Sequence, residues 1–385
     1  MIQRGITLKK GVLAGVAILA LSLSACGLPG DKGSSSKDTS GPIKIAVIDA
    51  QSGQTSSLGA WELKGVQLAF NEANSAGGIN GRKIDLKIYD DQGDPTTATN
   101  LAHKVASDGN IFVMGSSGSA PTLAMAPVLA QQKIPFMSSG QSPKLGELGN
   151  KFLFLNDPTS VTGDETLAKY LVTTKHYQKI AMISNNGAYG SGEHDAFTAA
   201  LKQLGVTPVA DQMVTPAQKD FSAALTTIRQ SQPEVLFVGA EEVQTGLIVK
   251  QARQLGINAV VAGGAPAGTS VYISTAGASL AEGTITSSPY LGNDTNAATK
   301  KFAAAYKAAY NEVAEFHGAK AYDGAKILIA ALTKNPTATG AALADAVRAV
   351  KYQGLVGNFD FDANGVGVHT AQIGVVKNGI IVPAP

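Results

Sequence analysis

The sequence predicts an α/β protein built from two doubly wound parallel-sheet lobes. From Ile43 onward, short apolar runs rich in β-formers alternate with stretches whose apolar residues recur at helical spacing. That alternation is the signature of parallel strands covered by helices on both faces. It runs twice, with a break near Asn156–Val161, which points to two sheets rather than one. The length of 385 residues suits two domains of ordinary size. A single cysteine excludes an intramolecular disulfide, so stability must come from packed cores.

The N-terminus has a different character. Arg4, Lys9 and Lys10 precede an apolar run from Gly11 to Leu23, and small residues lead to Cys26. A positive start, a short apolar run and small residues before a cut describe a secretory signal peptide over residues 1–25. The run is too short for a membrane span of about 20 apolar residues. Leu23-Ser24-Ala25-Cys26 resembles the bacterial lipobox, in which the thiol is acylated and the signal is cleaved just before it. Two acyl chains on one residue suffice for stable anchoring in a lipid bilayer. The expected location is extracytoplasmic, lipid-anchored to the bacterial cell membrane through Cys26. Residues 26–42 then form a tether. Its stretch Gly27–Pro42 is rich in Gly and Ser and nearly free of apolar residues, so a flexible reach of about 20–24 Å is expected. Loss of the leader's three positive charges takes the formal net charge from +2 to −1. A near-neutral chain carries no electrostatic footprint for nucleic acid.

The periodic elements follow in order. Ile43–Ala50 reads as a buried strand, and Leu58–Asn74 as a helix with Leu63, Val66, Leu68, Ala69 and Phe70 on one face. Ala76-Gly77-Gly78 stops that helix, because glycine takes the left-handed cap conformation readily. Asn80-Gly81 marks a turn before the strand Asp85–Tyr89. Asp94-Pro95 opens a helix, with Asp as cap and Pro at the first helical position. Strands are expected at Ile111–Gly115 and Pro135–Ser138, with a helix over Thr122–Gln132 between them. In the second half, strands at Lys179–Ser184, Val206–Val214, Val235–Val238 and Ala259–Ala262 alternate with helices over Ser191–Leu204, Asp220–Gln230 and Glu242–Leu255.

Catalytic signatures are absent. The sequence holds no G-x-S-x-G elbow, no P-loop and no G-x-G-x-x-G. Five scattered histidines have no metal-ligand spacing, so neither metal nor cofactor is expected and the chain does not read as an enzyme. Glu193-His194-Asp195 prints like a triad, but consecutive helical residues point apart, and a solvated first helical turn is the expectation. Asp90 and Asp91 read as a strand end and turn.

Two Ser/Gly-rich loops stand out instead: Gly115–Pro121, before the helix that starts near Thr122, and Ser138–Pro143, after the next strand. In open α/β sheets, ligands bind beyond the carboxyl ends of strands. A helix N-terminus there presents free N–H groups to an anion. Ser119 is expected at or near the helix cap, with Ala120 beside it. Its hydroxyl either caps the helix or helps to hold a carboxylate.

The segments IKIAVIDAQSGQTSSLG, NEANSAGGINGRKIDLKIYDDQGDP, VMGSSGSAPTLAMAPV, IPFMSSGQSPKL, NNGAYGSGEHDAF, QKDFSAALTTIRQ and KQARQLGI resemble the branched-chain amino-acid-binding proteins of ABC transporters. These are periplasmic binding proteins of fold type I, the family of the leucine/isoleucine/valine-binding receptors. The resemblance covers Ile43 to Ile381, and GGINGRKIDLKIYDDQGDP is its most specific part. It implies two lobes joined by three crossovers, near Asp157–Ser160, Ser287–Tyr290 and Leu355–Asn358. Lobe 1 would comprise residues 43–157 and 290–355, and lobe 2 residues 158–289 and 356–381. The ligand would lie in the cleft and close it by a hinge motion. The resemblance further implies that Ser119 and the backbone of Ser139, Gly140 and Gln141 hold a ligand carboxylate, and that Tyr189 packs on the ligand. The loop Gln51–Gly59 borders the cleft. Trp61 borders it too, or packs within lobe 1.

Departures from the family pattern bear on the ligand. Members often carry a hydroxyl residue at the position of Gln141, a tyrosine at that of Glu241, and an ammonium-binding acid at that of Ala265. A buried ammonium without an anion is costly. Glu241 either supplies that charge from another direction or is a solvated residue at a helix start. Without it, amides, urea-like compounds and short or aromatic acids are the alternatives that relatives bind. The expectation is a monomeric solute receptor that delivers an amino acid or related small polar carboxylate or amide to an ABC permease. A ligand-sensing subunit of the same fold is the alternative. No signalling domain follows Pro385, which favours transport.

Overall fold

A computed structural model describes residues 41–292 and 296–385. The signal peptide, Cys26 and all but the end of the tether lie outside the described residues. The first lobe begins with β1 (Ile43–Asp49), α1 (Ser56–Ser75), β2 (Ile84–Asp90), α2 (Pro95–Ser107), β3 (Phe112–Met114), α3 (Ser119–Gln131), β4 (Phe136–Ser138), α4 (Pro143–Gly146) and β5 (Leu153–Leu155). Its five strands lie in the order β2-β1-β3-β4-β5, all parallel. Side chains of a strand alternate between faces, and β1 divides accordingly. Ile43, Ile45 and Val47 enter one core cluster with Val66, Phe70 and Leu328, while Ala46 and Ile48 enter another with Ala98, Ala102 and Met125. Both faces are covered, which is why β1 reads as a continuous apolar run.

The second lobe holds α5 (Ser160–Lys169), β6 (Ile180–Asn185), α6 (Ala188–Gln203), β7 (Ala210–Val214), α7 (Ser222–Gln230), β8 (Val235–Gly239), α8 (Glu242–Gln254), β9 (Val260–Gly263), α9 (Ser270–Ala276), α10 (Ala278–Ala281) and β10 (Ile285–Ser288). The chain then returns to the first lobe with α11 (Ala297–Tyr310), α12 (Phe316–Lys334), α13 (Gly340–Arg348), β11 (Lys351–Gln353) and β12 (Asn358–Asp360). It ends in the second sheet with β13 (Gln372–Lys377) and β14 (Ile380–Pro383). That sheet runs β14-β13-β10-β9-β8-β6-β7, parallel from β7 to β10 and antiparallel at β13 and β14.

Two crossings lie between β5 and α5 and between β10 and α11. The third comes later than Leu355–Asn358. Leu355 and Val356 donate their N–H groups to Asp323 of α12, and Phe359, Phe361 and Val368 remain in the first lobe's core. Val366 bridges Leu155, so the chain joins the second sheet only at Gln372. Burial of the apolar residues between 356 and 368 keeps this segment with the first lobe, where the sequence placed it in lobe 2.

One helix pair positions the site. α1 and α12 meet at glycines: a Cβ on Gly65 would lie 2.2 Å from the carbonyl oxygen of Gly318. This close approach sets Trp61 and Glu62, one turn before Gly65, against His317 and Lys320.

Candidate functional site

A cavity of about 640 Å³ lies between the carboxyl ends of the two sheets and is lined from both lobes. From the first lobe come Gln54, Thr55, Leu58, Gln92, Ser117, Ser119, Ala120, Pro121, Ser139 and Gln141, with His317 and Lys320 of α12. From the second come Ala188, Tyr189, the loop from Pro216 to Lys219, Glu241, Glu242, Gln244, Leu247 and Pro266.

One pole presents a helix N-terminus. α3 starts at Ser119, three residues earlier than expected, because Gly118 takes the extended cap position. Ser119 therefore does not cap the helix. Its Oγ accepts the N–H of Ser142 at 3.1 Å, which leaves the hydroxyl proton to donate elsewhere. The N–H groups of Ser119 and Ala120 belong to a first turn that has no intrahelical acceptor for them. Asp49 holds the loop beneath: its Oδ1 accepts the Ser117 hydroxyl at 2.7 Å and the Ser117 N–H at 3.0 Å. Burial, helped by Asp91, pushes the Asp49 carboxyl up to about 6.

The second Ser/Gly loop behaves less uniformly. Ser139 and Gln141 reach the cavity, but Gly140 is not among the lining residues, and its N–H goes to the Ser138 hydroxyl at 3.0 Å. The Ser139 hydroxyl donates to Asn156 at 2.8 Å, and its carbonyl accepts Lys320 at 3.3 Å. Trp61 is also outside the lining; it stacks on His317 with ring centroids 5.9 Å apart. It thus stands behind the wall rather than in it.

The opposite pole is acidic. Glu241 sits at the cap of α8, but its side chain makes no cap bond; Oε2 accepts the Asn185 amide at 2.5 Å. Asn185 also donates to Gln244 at 2.7 Å, whose own amide donates to the carbonyls of Thr215, Pro216 and Gln218. Burial raises the Glu241 carboxyl, and Glu242 beside it adds to the shift. Glu241 is only partly buried and lines the cavity, held by Asn185 rather than by a cap bond. Ala265 lies buried in a turn of 3-10 helix and is not among the lining residues, and Pro266 faces the cavity instead.

Tyr189 is buried beside the cavity, with Glu193 close behind its hydroxyl. Glu193 is 2% exposed, so the expected solvated helical turn fails at this residue. α6 begins at Ala188, which places Glu193 a full turn inside the helix and facing Asp164 and Ser160. Burial, and then each carboxylate's effect on its neighbours, raises Asp164 and Glu193. His194 takes the surface position instead, 2.8 Å from Asp211.

A buried polar wall closes the rear of the cavity. Lys320 is 2.7 Å from Asp157 and 3.5 Å from Glu62. Burial alone would lower the Lys320 ammonium, but these carboxylates outweigh it and hold it above its usual range. His317 Nε2 lies 3.0 Å from Glu242 Oε1, and Nδ1 lies 3.4 Å from Glu62 Oε1. Burial pushes Glu242 up to about 7 and His317 down to about 4.

Comparison with known proteins identifies this architecture. A family model described as periplasmic binding protein matches residues 42–379. The chain belongs to the periplasmic binding protein family. Within it, the Leu/Ile/Val-binding protein BraC3 of Rhizobium johnstonii is 31% identical over 300 residues, 78% of this chain and 81% of that protein. A leucine-, isoleucine-, valine-, threonine- and alanine-binding protein of Pseudomonas aeruginosa is 25% identical over 324 residues, covering 84% of this chain and 86% of its own. Among solved structures, the branched-chain amino-acid transporter substrate-binding protein LivJ of Streptococcus pneumoniae, in complex with isoleucine, superposes with a TM-score of 0.82 at 25% identity, over 89% of this chain and all of that one. A solute-binding protein of R. palustris in complex with benzoate gives a TM-score of 0.82 at 18% identity, over 89% of this chain and 95% of that one, a likeness of fold alone.

Of the eight residues the sequence singled out, Ser119, Ala120, Ser139, Gln141, Tyr189 and Glu241 line one periplasmic-binding-protein cleft, while Gly140 and Trp61 do not. It missed Asp49, Glu62, Asp157, Asn185, Glu242, His317 and Lys320. These residues are far apart in the chain and follow no motif. The one available signal was charge inside an apolar helix: Glu62, His317 and Lys320 interrupt otherwise core-facing stretches of α1 and α12.

Proposed function

We propose that this chain is an extracytoplasmic solute receptor, anchored by acylated Cys26, that closes on an amino acid or closely related small polar compound and presents it to an ABC permease. The observation that carries the reading is the polarity of the cavity. A first-turn helix N-terminus with the Ser119 hydroxyl suits a carboxylate, and the Glu241 carboxylate across the cleft suits an ammonium. The names of the relatives, binding proteins for branched-chain and small amino acids, support the ligand class. With no acid at Ala265, Glu241 is the ammonium partner in this reading. Binding, not turnover, is the activity, and the receptor acts as a monomer.

A thermal-shift screen of amino acids, their amides and their desamino acids tests the reading, because a ligand that binds only the folded state raises the melting temperature by mass action. A rise with an α-amino acid is expected. Shifts confined to compounds that lack an amino group would remove Glu241 as the ammonium partner. The anchor is tested separately by metabolic labelling with a fatty-acid analogue: label should be lost in Cys26→Ser, and retained label would sink the lipid anchor.

A further inference from the structure

We infer that His317 and Glu242 form a clasp across the cleft that holds the lobes together without ligand. His317 belongs to α12 of the first lobe and Glu242 to the first turn of α8 in the second, and their side chains meet at 3.0 Å. Both residues are buried, at 3% and 1% exposure, so the contact is shielded from water. Such a bond is stronger than one at the surface, and either partner left alone there would be a buried unsatisfied group. The clasp is braced on its first-lobe side. Glu62 stands at the other ring nitrogen, Trp61 stacks on the ring, and Glu315 fixes the start of α12 by accepting the His317 and Gly318 N–H groups. The imidazole is therefore aimed at the second lobe before the lobes meet.

The clasp is a hydrogen bond to an uncharged imidazole. Burial pushes the Glu242 carboxyl up to about 7 and keeps the imidazole uncharged, so the contact avoids the desolvation cost of a full buried charge pair. His317 is thus a positioning residue for closure, whatever the ligand. With this contact formed, part of the closing energy is in place before a ligand binds.

The sole tryptophan of the chain, Trp61, lies on the clasp and supplies a label-free reporter. The experiment measures small-angle scattering and Trp61 emission of the ligand-free full chain, wild type against His317→Ala, Glu242→Ala and the double variant. Each single variant should increase the radius of gyration and shift the emission, and the double variant should go no further than the larger single effect. His317→Gln, which retains a donor, should restore part of the compact form. Far-UV circular dichroism separates opening from unfolding; if an alanine variant unfolds, His317→Gln and Glu242→Gln carry the same comparison. Folded variants whose scattering matches wild type overturn the clasp, as do single effects that simply add in the double variant.

Discussion

At the scale of single residues, the two poles of the cleft make separable demands on a ligand. Hydrogen bonds to charged groups contribute about 1.5–3 kcal/mol. Ser119→Ala should therefore weaken a carboxylate ligand roughly 10–100-fold by calorimetry, and the loss should shrink when the carboxylate is amidated. Because Ser119 Oγ is the acceptor for the buried Ser142 N–H, the variant should also lower the melting temperature by a few degrees, a loss independent of which ligand is tested. Glu241 makes the complementary prediction. Its carboxyl is raised by burial and by Glu242, and an ammonium beside it favours the ionised form. Binding of an α-amino ligand should thus release protons, read as a dependence of the binding enthalpy on buffer ionisation. Glu241→Gln should abolish that release and weaken amino ligands while sparing their desamino analogues. Equal losses for both ligand types would assign the ammonium elsewhere.

At the scale of elements, the helix pair α1 and α12 couples stability to the site. Gly65→Ala forces a methyl group to within 2.2 Å of the Gly318 carbonyl, so the helices must part. Overpacking of this kind costs about 1–3 kcal/mol. A lower denaturation midpoint with an unchanged m-value is expected, and unaltered stability would mean that the crossing is loose. The same pair shows what a sequence does and does not disclose. The strands and helices of both lobes were legible because their periods of 2 and 3.6 are local properties of the chain. Ser119 was legible because it follows a strand near the opening of a helix, and Tyr189 only through the family resemblance. The start of α3 was not: Gly118 as cap and Ser119 as first helical residue leave no strong local signal. His317 was not legible either, because its meaning comes from Glu62 and Glu242, 255 and 75 residues away. The third crossing was misplaced for the same reason. Nothing local tells that Phe359, Phe361 and Val368 pack under the first sheet.

At the scale of the whole molecule, the buried acids set a pH dependence. Burial raises Asp49 to about 6, Glu242 and Asp323 to about 7, and Glu315 to about 8. The unfolded chain would release these protons near 3.8 for Asp and 4.5 for Glu. The folded state therefore binds more protons, and stability falls as pH rises between those values and about 8. His317, lowered from 6.5 to about 4, acts oppositely, but only below about 6.5. The melting temperature should accordingly drop from about pH 6.5 to about pH 8.5; a rise across that interval would contradict the buried-acid reading. Ligand should also compact the molecule at constant secondary structure, since the cavity is walled by both lobes. An unchanged radius of gyration at saturation would mean a cleft already shut.

The bonds behind Glu241 have a consequence for protein engineering. Asn185 on β6 joins Glu241 to Gln244, and Gln244 in turn fixes the backbone from Thr215 to Gln218. If Glu241 sets ligand preference as proposed, the smallest portable unit is not one glutamate but Asn185, Glu241 and Gln244 together with that loop. A relative given only the glutamate would receive a carboxylate with nothing to aim it. A biosensor or transporter redesigned around this receptor would have to exchange the whole set, because its members are separated in the chain and joined only in the fold.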